Sequence, residues 1–260
     1  MTSLIRVVFG VLGNITAAFL FLSPVPTFWR IIRTRKVENF SGVPYLTAAL
    51  NCSLWTLYGL PVVNYQVLVV TINAAGAALE IFYVVIYLLF SEGKPRMKVL
   101  KLFIAMASGF ILMTGLVVGL VKDHDTRRTI LGVLGATLAL AMYSAPLTVM
   151  RLVIQTKSVE FMPFLLSLFV FLNSLTWTIY SFVPKIDWYI GTPNAIGVVL
   201  GTGQLVLYAI YRRSTPKKPF LAPVDKLAVE TSEKVAPAPD SAQVKTSPEA
   251  VPVKMAPGNV

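Results

Sequence analysis

The amino-acid sequence predicts an all-α membrane protein, with seven transmembrane helices arranged as two parallel three-helix-bundle repeats joined by a linker helix. Three observations lead to this prediction. The chain of 260 residues is 55% hydrophobic and only 13% charged, whereas soluble domains carry about 25% charged residues. Its apolar residues occur in runs close to the roughly 20 residues that a helix needs to cross a bilayer. Finally, the second half of the chain repeats the pattern of the first.

The apolar residues form seven runs, separated by short connections that carry charged residues or proline. Within a bilayer, such a run satisfies its backbone hydrogen bonds by forming a helix. The connections are too short to hold a soluble catalytic domain, so the sequence indicates that the protein is not an enzyme. The predicted spans cover residues 5–29, 43–63, 67–90, 99–121, 130–150, 163–183 and 188–211.

The internal repeat pairs span one with span five, span two with span six, and span three with span seven. An odd number of spans inverts the next element, and the unpaired span four restores the orientation, so the two units run parallel. The predicted division is a first repeat over 5–90, a linker helix over 99–121, a second repeat over 130–211 and a disordered cytosolic tail over 214–260. The matched positions include Gly13 and Gly135, Leu20 and Met142, Pro24 and Pro146, Asn51 and Asn173, Trp55 and Trp177, Tyr58 and Tyr180, and Asn73 and Asn194.

The net charge of +11 is explained by membrane topology rather than by binding to nucleic acid. Most basic residues follow spans one, three, five and seven, and few lie in the connections at the opposite face. Because basic residues mark the cytoplasmic side of a membrane, we expect an extracellular N-terminus and a cytosolic C-terminus. The basic residues on the predicted cytosolic side are Arg30, Arg33, Arg35, Lys36, Lys94, Arg96, Lys98, Lys101, Arg151, Lys157, Arg212, Arg213, Lys217 and Lys218.

The residue types that most catalytic and metal sites require are scarce. The chain has one cysteine, Cys52, and one histidine, His124, so neither a transition-metal cluster nor a nucleophile–histidine site can be assembled. The sequence has no Gly-rich phosphate-binding motif of the Walker type. We therefore expect no cofactor, no metal ion and no ATP-driven transport.

A pattern of Asn, Trp and Tyr occurs twice, first at Asn51, Trp55 and Tyr58 and again at the matching positions of span six. Steps of four and three residues place these side chains on one face of a helix. Spans three and seven each add a lone amide, Asn73 and Asn194. Because the surroundings are too apolar for a water-facing surface, the two faces predict a polar and aromatic slot inside the membrane.

The motifs around these residues resemble those of the SWEET family of plant sugar transporters. They are FLSPVPTF in span one, FSGVPY at the start of span two, TINAAG in span three, YSAPL and TKSVEFMPF around spans five and six, and TPN in span seven. The resemblance covers about residues 5–213. It implies a facilitator that works in both directions by alternating access. It also implies a homo-oligomer, mostly at the plasma membrane, with the vacuolar membrane as the alternative.

The resemblance also implies which residues bind the sugar. The family's paired substrate asparagines fall on Asn73 and Asn194, whose amides can donate to or accept from hydroxyl groups. The alternative for a polar residue in a membrane helix is a hydrogen bond to a neighbouring helix. Trp55 and Trp177 would stack on the apolar faces of a sugar ring, and the alternative is an aromatic belt at the membrane interface.

Four more residues are expected to surround the same cavity, and all four are bulky: Asn51, Asn173, Leu20 and Met142. In the family, large residues at these positions go with hexose transport and small residues with sucrose transport. We therefore predict a hexose as the substrate, with glucose favoured, and keep sucrose as the alternative.

The resemblance further implies a gate at each end of the cavity. Prolines kink helices, and the family's four hinge prolines match four residues on the predicted cytosolic side: Pro24, Pro44, Pro146 and Pro163. At the outer end, the phenol of Tyr58 would donate to the carboxylate of Asp187 and close the mouth. The alternative is that Asp187 is a solvated loop residue.

Glu80 is the one acidic residue in the middle of a span, and its counterpart in the repeat is Gly201. A carboxyl group inside a membrane span marks a candidate functional site. Proton-coupled sugar symport is therefore an alternative function, and a neutral, hydrogen-bonded glutamic acid is the structural alternative. A receptor or scaffold that signals through its tail is an alternative from another class, and the duplicated amide argues against it.

Overall fold

The computed structural model describes residues 2–214 of the chain. Residues 215–260, which hold nearly all of the tail predicted to be disordered, lie outside the described residues. The described part contains nine α-helices and no β-strand. The helices are α1 (Thr2–Leu22), α2 (Val25–Thr34), α3 (Val43–Gly59), α4 (Val67–Phe90), α5 (Gly93–Leu120), α6 (His124–Met142), α7 (Ser144–Thr156), α8 (Phe164–Ser181) and α9 (Trp188–Tyr211).

Spans one and five are each broken into two helices near a proline, which reduces the nine helices to seven segments. Pro24 is the N-cap of α2, directly after the end of α1. α6 and α7 meet at Tyr143, three residues before Pro146. Proline has no backbone N–H, and its ring clashes with the carbonyl group four residues earlier, so a continuous helix is interrupted there.

The other two prolines of the predicted set lie where helices begin. Pro44 is in the first turn of α3, and Pro163 is the N-cap of α8. Proline fits these positions because the first N–H groups of a helix have no intrahelical partner. The expectation that Pro44 and Pro163 kink a helix is therefore wrong, since both start a helix instead.

The helix bounds follow the predicted spans, and five of the seven segments differ from the prediction by one to six residues at one or both ends. α4 and α9 match the prediction, while α5 begins six residues before the predicted start at residue 99. α3 has 17 residues, which is about 26 Å of helix at 1.5 Å per residue, and it stops two residues before Pro61. The other six segments are long and apolar enough to cross a membrane.

The seven segments pack as two similar units in direct contact, and the linker α5 lies mainly against α3 and α4 of the first unit. In the first unit α4 contacts α1, α2 and α3, and in the second unit α9 contacts α6, α7 and α8. The units meet through α1 against α8 and through α3 against α6, which are matching pairs in the repeat. The linker α5 is held at its C-terminal end by Arg127, whose guanidinium donates to the carbonyl oxygens of Val118 at 3.0 Å and Val121 at 2.6 Å.

The two ends of the bundle are packed differently. We call the end that holds the 60–66, 121–123 and 182–187 connections the outer end, and the opposite one the inner end. The units share one apolar cluster that reaches the outer end and includes Tyr58 and Tyr180. At the inner end each unit has its own cluster, one around Tyr83 and Val84 and the other around Val153 and Met162. The two units are thus joined at the outer end and separate at the inner end.

Candidate functional site

A cavity of about 320 Å³ lies between the two units. Its wall is formed by α1, α3 and α4 of the first unit and by α6, α8 and α9 of the second. The structure brings together all eight residues for which the sequence predicted a role in substrate binding: Leu20, Asn51, Trp55, Asn73, Met142, Asn173, Trp177 and Asn194.

Asn73 and Asn194 occupy equivalent places in the wall, on α4 and α9. Each Nδ2 group donates to the carbonyl oxygen four residues earlier in its own helix, Val69 at 2.9 Å and Ile190 at 2.8 Å. An amide has two N–H donors and one oxygen acceptor, so this bond leaves the oxygen and one N–H for a ligand. Both hydrogen bonds are formed within a single helix. These two amides therefore do not join neighbouring helices, which was the alternative role.

The second pair of amides, Asn51 and Asn173, is less symmetrical. The Oδ1 atom of Asn173 accepts a hydrogen bond from the hydroxyl of Thr16 across the unit boundary, at 3.2 Å. The Oδ1 atom of Asn51 is buried and has no hydrogen-bond partner. A buried polar group without a partner costs free energy, so this oxygen of a cavity-lining residue would be satisfied by a ligand hydroxyl that reached it.

The two tryptophans are buried and do not form a lipid-facing belt. Trp55 and Trp177 are 7% and 6% exposed, and each ring meets the tyrosine one turn later edge-on, at 5.3 and 5.1 Å between centroids. Glycines on the other unit let the rings approach. A Cβ atom on Gly13 would lie 2.8 Å from Trp177, and one on Gly135 would lie 3.2 Å from Trp55.

The outer end of the cavity is sealed by polar side chains around Asp187, which is the N-cap of α9. The hydroxyl of Tyr58 is 2.7 and 2.8 Å from the two carboxylate oxygens of Asp187. Tyr58 is fully buried and Asp187 is 3% exposed. The hydrogen bond that the sequence predicted at this end is therefore formed, and Asp187 is not a solvated loop residue.

Sequence reasoning missed three other partners of Asp187, which lie in a connection or in the first turns of α6. Gln66 donates to Oδ2 at 2.8 Å and Asn64 at 3.3 Å. Arg128 is 3.2 Å from the same oxygen, and its Nε donates to the Tyr58 hydroxyl at 3.2 Å. We call these five residues, Tyr58, Asn64, Gln66, Arg128 and Asp187, the outer closure. The available signal was the basic pair at 127–128, which lies between predicted spans four and five together with Asp123 and Asp125.

The start of α6 is fixed by Asp123, whose carboxylate accepts hydrogen bonds from the hydroxyl of Thr126 at 2.6 Å and from its N–H at 2.7 Å. These bonds stabilise the ionised carboxylate and lower the pKa of Asp123. A capped first turn directs the two arginines that follow, one toward the end of α5 and the other into the outer closure.

Comparison with known proteins gives the family. The profile of a family described as "Sugar efflux transporter for intercellular exchange" matches the chain twice, at residues 7–95 and 129–216. The bidirectional sugar transporter SWEET1b of Oryza sativa subsp. indica is 51% identical over 217 residues, which is 82% of each chain. The bidirectional sugar transporter SWEET4 of the same organism is 48% identical over 212 residues, 81% of this chain and 82% of that one.

This chain belongs to the SWEET family. A solved structure of a eukaryotic SWEET transporter agrees with this, with 38% identity and a TM-score of 0.78 over 82% of this chain and 99% of that chain. The SWEET fold accounts for the seven segments, and the family consists of sugar transporters rather than enzymes.

Glu80 of this SWEET chain lies behind the cavity wall. It is 5% exposed, and its Oε2 atom is buried without a hydrogen-bond partner. Its carboxyl group is close enough to interact electrostatically with Cys52, a residue of the wall, and with Tyr45. Glu80 does not itself line the cavity.

Proposed function

We propose that this chain moves a hexose, glucose foremost, down its concentration gradient in either direction by alternating access. The observation that carries this proposal is the cavity between the units, where two equivalent amides and two equivalent tryptophans face one small space. Amides pair with the hydroxyl groups of a sugar, and aromatic faces suit its apolar C–H faces. The relatives named bidirectional sugar transporters support transport of a sugar in both directions.

The size of the cavity favours a monosaccharide over sucrose. Small-molecule sites span about 300–1,000 Å³, and this cavity of about 320 Å³ is at the lower end of that range. Leu20 and Met142 stand at matching positions on α1 and α6 and narrow the space from both units. A disaccharide would have to displace these side chains or the amides beside them.

Alternating access is supported by the different packing of the two ends. The units, residues 5–90 and 130–211, share a cluster at the outer end and have separate clusters at the inner end. This is the arrangement expected when a transporter is closed to the outside. Opening the outer end would require the shared cluster and the outer closure to part, while the breaks near Pro24 and Pro146 let the inner helices bend.

The central test is a panel of labelled sugars in proteoliposomes, which need no partner protein. We expect exchange of glucose and of other hexoses, and little exchange of sucrose. Asn73→Ala and Asn194→Ala should each lower glucose exchange at least tenfold, while Thr202→Val is the matched control, since its hydroxyl only bonds the α9 carbonyl of Val198. Sucrose exchange without hexose exchange, or full activity in both asparagine variants, would contradict the proposal.

We propose the four prolines as hinges of unequal weight. Pro24→Ala and Pro146→Ala would let α1 run into α2 and α6 into α7, which should stiffen both broken segments and slow exchange several-fold. Pro44→Ala and Pro163→Ala should have smaller effects because those prolines only start helices. Exchange is compared at equal surface expression, and equal effects in all four variants would reject the ranking.

Proton-coupled symport is the second candidate, and the unpartnered Oε2 of Glu80 is the observation that favours it. A symporter should accumulate sugar when a proton gradient is imposed, lose this accumulation with an uncoupler, and lose it in Glu80→Gln. A facilitator should equilibrate sugar without accumulating it under the same gradient. Uptake that is insensitive to the gradient would leave Glu80 a structural residue.

We also propose a plasma-membrane location, with the N-terminus outside, the C-terminus in the cytosol and a homo-oligomeric assembly. The distribution of basic residues supports the orientation, and the family resemblance supports the location and the assembly. A terminal epitope read in intact and permeabilised cells tests the orientation. Mass measurement in native-like lipid particles tests the assembly.

A further inference from the structure

The repeat extends to residues of the outer end that the cavity does not use. The alignment of span one with span five, which pairs Gly13 with Gly135, also pairs Arg6 with Arg128. The alignment of span three with span seven pairs Gln66 with Asp187. Together with Tyr58 and Tyr180, these residues form two sets. The first set is Arg128, Tyr58 and Asp187. The second set is Arg6, Tyr180 and Gln66.

The first set bridges the units. Tyr58 is on α3 of the first unit, whereas Asp187 and Arg128 belong to the second. The Tyr58 hydroxyl donates to Asp187 at 2.7 Å, and Arg128 reaches both the Tyr58 hydroxyl and Asp187 at 3.2 Å. Each of these bonds to Tyr58 must break if the units separate at the outer end.

The second set also bridges the units, but with its tyrosine on the second unit and its partners on the first. Arg6 and Gln66 belong to the first unit, and Tyr180 is on α8 of the second. The guanidinium of Arg6 lies over the Tyr180 ring, 4.7 Å from its centroid, and the Tyr180 hydroxyl donates to Oε1 of Gln66 at 3.3 Å. Gln66 then donates to Asp187 at 2.8 Å and so connects the two sets.

We propose that the second set, Arg6, Tyr180 and Gln66, is a further gate of this transporter, equivalent by the repeat to Arg128, Tyr58 and Asp187 and joined to it through the Gln66–Asp187 hydrogen bond. Tyr180 is 3% exposed and Gln66 is 5% exposed, and the Nε of Arg6 is buried. The side chains of Tyr180 and Gln66 and the Nε atom of Arg6 are thus removed from water in contacts that exist only while the outer end is closed. The inference rests on the proposed alternating-access function.

The chain provides its own reporter for a test. Cys52 is its only cysteine, and it lines the cavity. A membrane-impermeant thiol reagent added from outside can reach it only when the outer end opens, so the rate of labelling measures that opening without any sugar. Cys52→Ala supplies the background, and Ala139→Cys on that background is a second reporter in the cavity wall.

Two of the variants remove one hydroxyl group each, and the third removes the side-chain amide of Gln66. Tyr58→Phe should raise the outside labelling rate about tenfold or more, because a bond to a charged group is lost. Tyr180→Phe should raise it about threefold, as expected for a neutral hydrogen bond, whereas Gln66→Met also removes a hydrogen bond to the Asp187 carboxylate and should raise it about tenfold. Tyr189→Phe is the matched control at the same end, since its hydroxyl bonds Thr129 outside both sets. Equal labelling with a permeant reagent confirms that the thiol is equally reactive in every variant.

The proposal is overturned by one pattern of labelling rates at either reporter. In this pattern Tyr58→Phe is labelled faster, while Tyr180→Phe and Gln66→Met are labelled no faster than the unmodified protein and the control Tyr189→Phe. It is supported by acceleration in all three variants. The two proposals can be separated by adding the sugar assay. A protein that gives this labelling pattern and exchanges no sugar supports the second gate and contradicts the proposed transport function.

Discussion

The two units of this SWEET protein are similar in backbone, and they share the side chains of the cavity wall more closely than those elsewhere. Matching basic residues end α2 and α7 in the left-handed conformation, Arg35 with φ 54° and Lys157 with φ 51°. The cavity wall is also nearly symmetrical. The units diverge where Asp187 faces Gln66, where Leu138 stands in place of Thr16, and at Glu80.

These differences follow from geometry. Residues that only line the cavity can be identical in both units, because each approaches the ligand from its own side. Gln66 and Asp187 are counterparts that contact each other directly, at 2.8 Å. Two carboxylates at that distance would repel, and two amides would leave Arg128 without a counter-charge. One Asp and one Gln satisfy both demands, so the contact between counterparts has to be asymmetric.

The largest effect is expected when this asymmetry is removed. Asp187→Asn keeps the size of the side chain but removes the carboxylate that pairs with Arg128. Breaking a fully buried ion pair costs about 3–5 kcal/mol, and the cost is lower here because the Arg128 side chain is 33% exposed. The outer-closed state should be destabilised, and hexose exchange should fall about a hundredfold. Gln66→Met, the counterpart change, removes one neutral hydrogen bond and one donated to the Asp187 carboxylate, but it leaves Arg128 paired with Asp187, so it should lower exchange less, by about tenfold.

Initial rates of exchange in proteoliposomes, normalised to the amount of folded protein, check this pair of variants. Equal losses in Asp187→Asn and Gln66→Met would show that the charge of Asp187 contributes nothing beyond its hydrogen bonds. Arg128→Met combined with Asp187→Asn should lose less than the two single changes together, because neither variant residue is then a buried unpaired charge.

The sequence predicted the parts of the site that are repeated and missed those that are not. Asn73, Asn194, Trp55 and Trp177 stand out because each occurs twice at helical spacing. Arg128 and Gln66 lie in or beside connections, where no periodicity indicates which way a side chain points. Pro44 and Pro163 were misread because a proline in an apolar run looks the same in a helix interior as in its first turn.

The intermediate effect tests how closely the units pack. Gly13→Ala would place a Cβ atom 2.8 Å from the buried Trp177, whereas Gly135→Ala would place one 3.2 Å from Trp55. Overpacking costs about 1–3 kcal/mol, and replacing a helical Gly by Ala returns about 1 kcal/mol. We expect Gly13→Ala to lower the melting temperature in detergent and Gly135→Ala to leave it nearly unchanged. The reverse order would mean that Trp177 moves more readily than Trp55.

The smallest effect concerns the two amides that differ in their partners. Asn51→Ala removes a buried oxygen that bonds nothing in the protein, and this gain offsets the packing lost with the side chain, so stability should change little. If that oxygen accepts a sugar hydroxyl, the KM for glucose should rise about fivefold, which is the loss of one neutral hydrogen bond. Asn173→Ala removes the bond from Thr16 and should instead cost about 1 kcal/mol of stability, with a smaller change in KM.

Leu138→Thr sharpens this last comparison, because Leu138 is the counterpart of Thr16 and the variant would give Asn51 the partner that Asn173 already has. A hydroxyl that donates to Asn51 competes with the sugar, so KM should rise while the melting temperature stays level or increases. If Leu138→Thr and Asn51→Ala both leave KM unchanged, the free oxygen of Asn51 is not used by the sugar. The asymmetry of the cavity wall would then be a matter of packing alone.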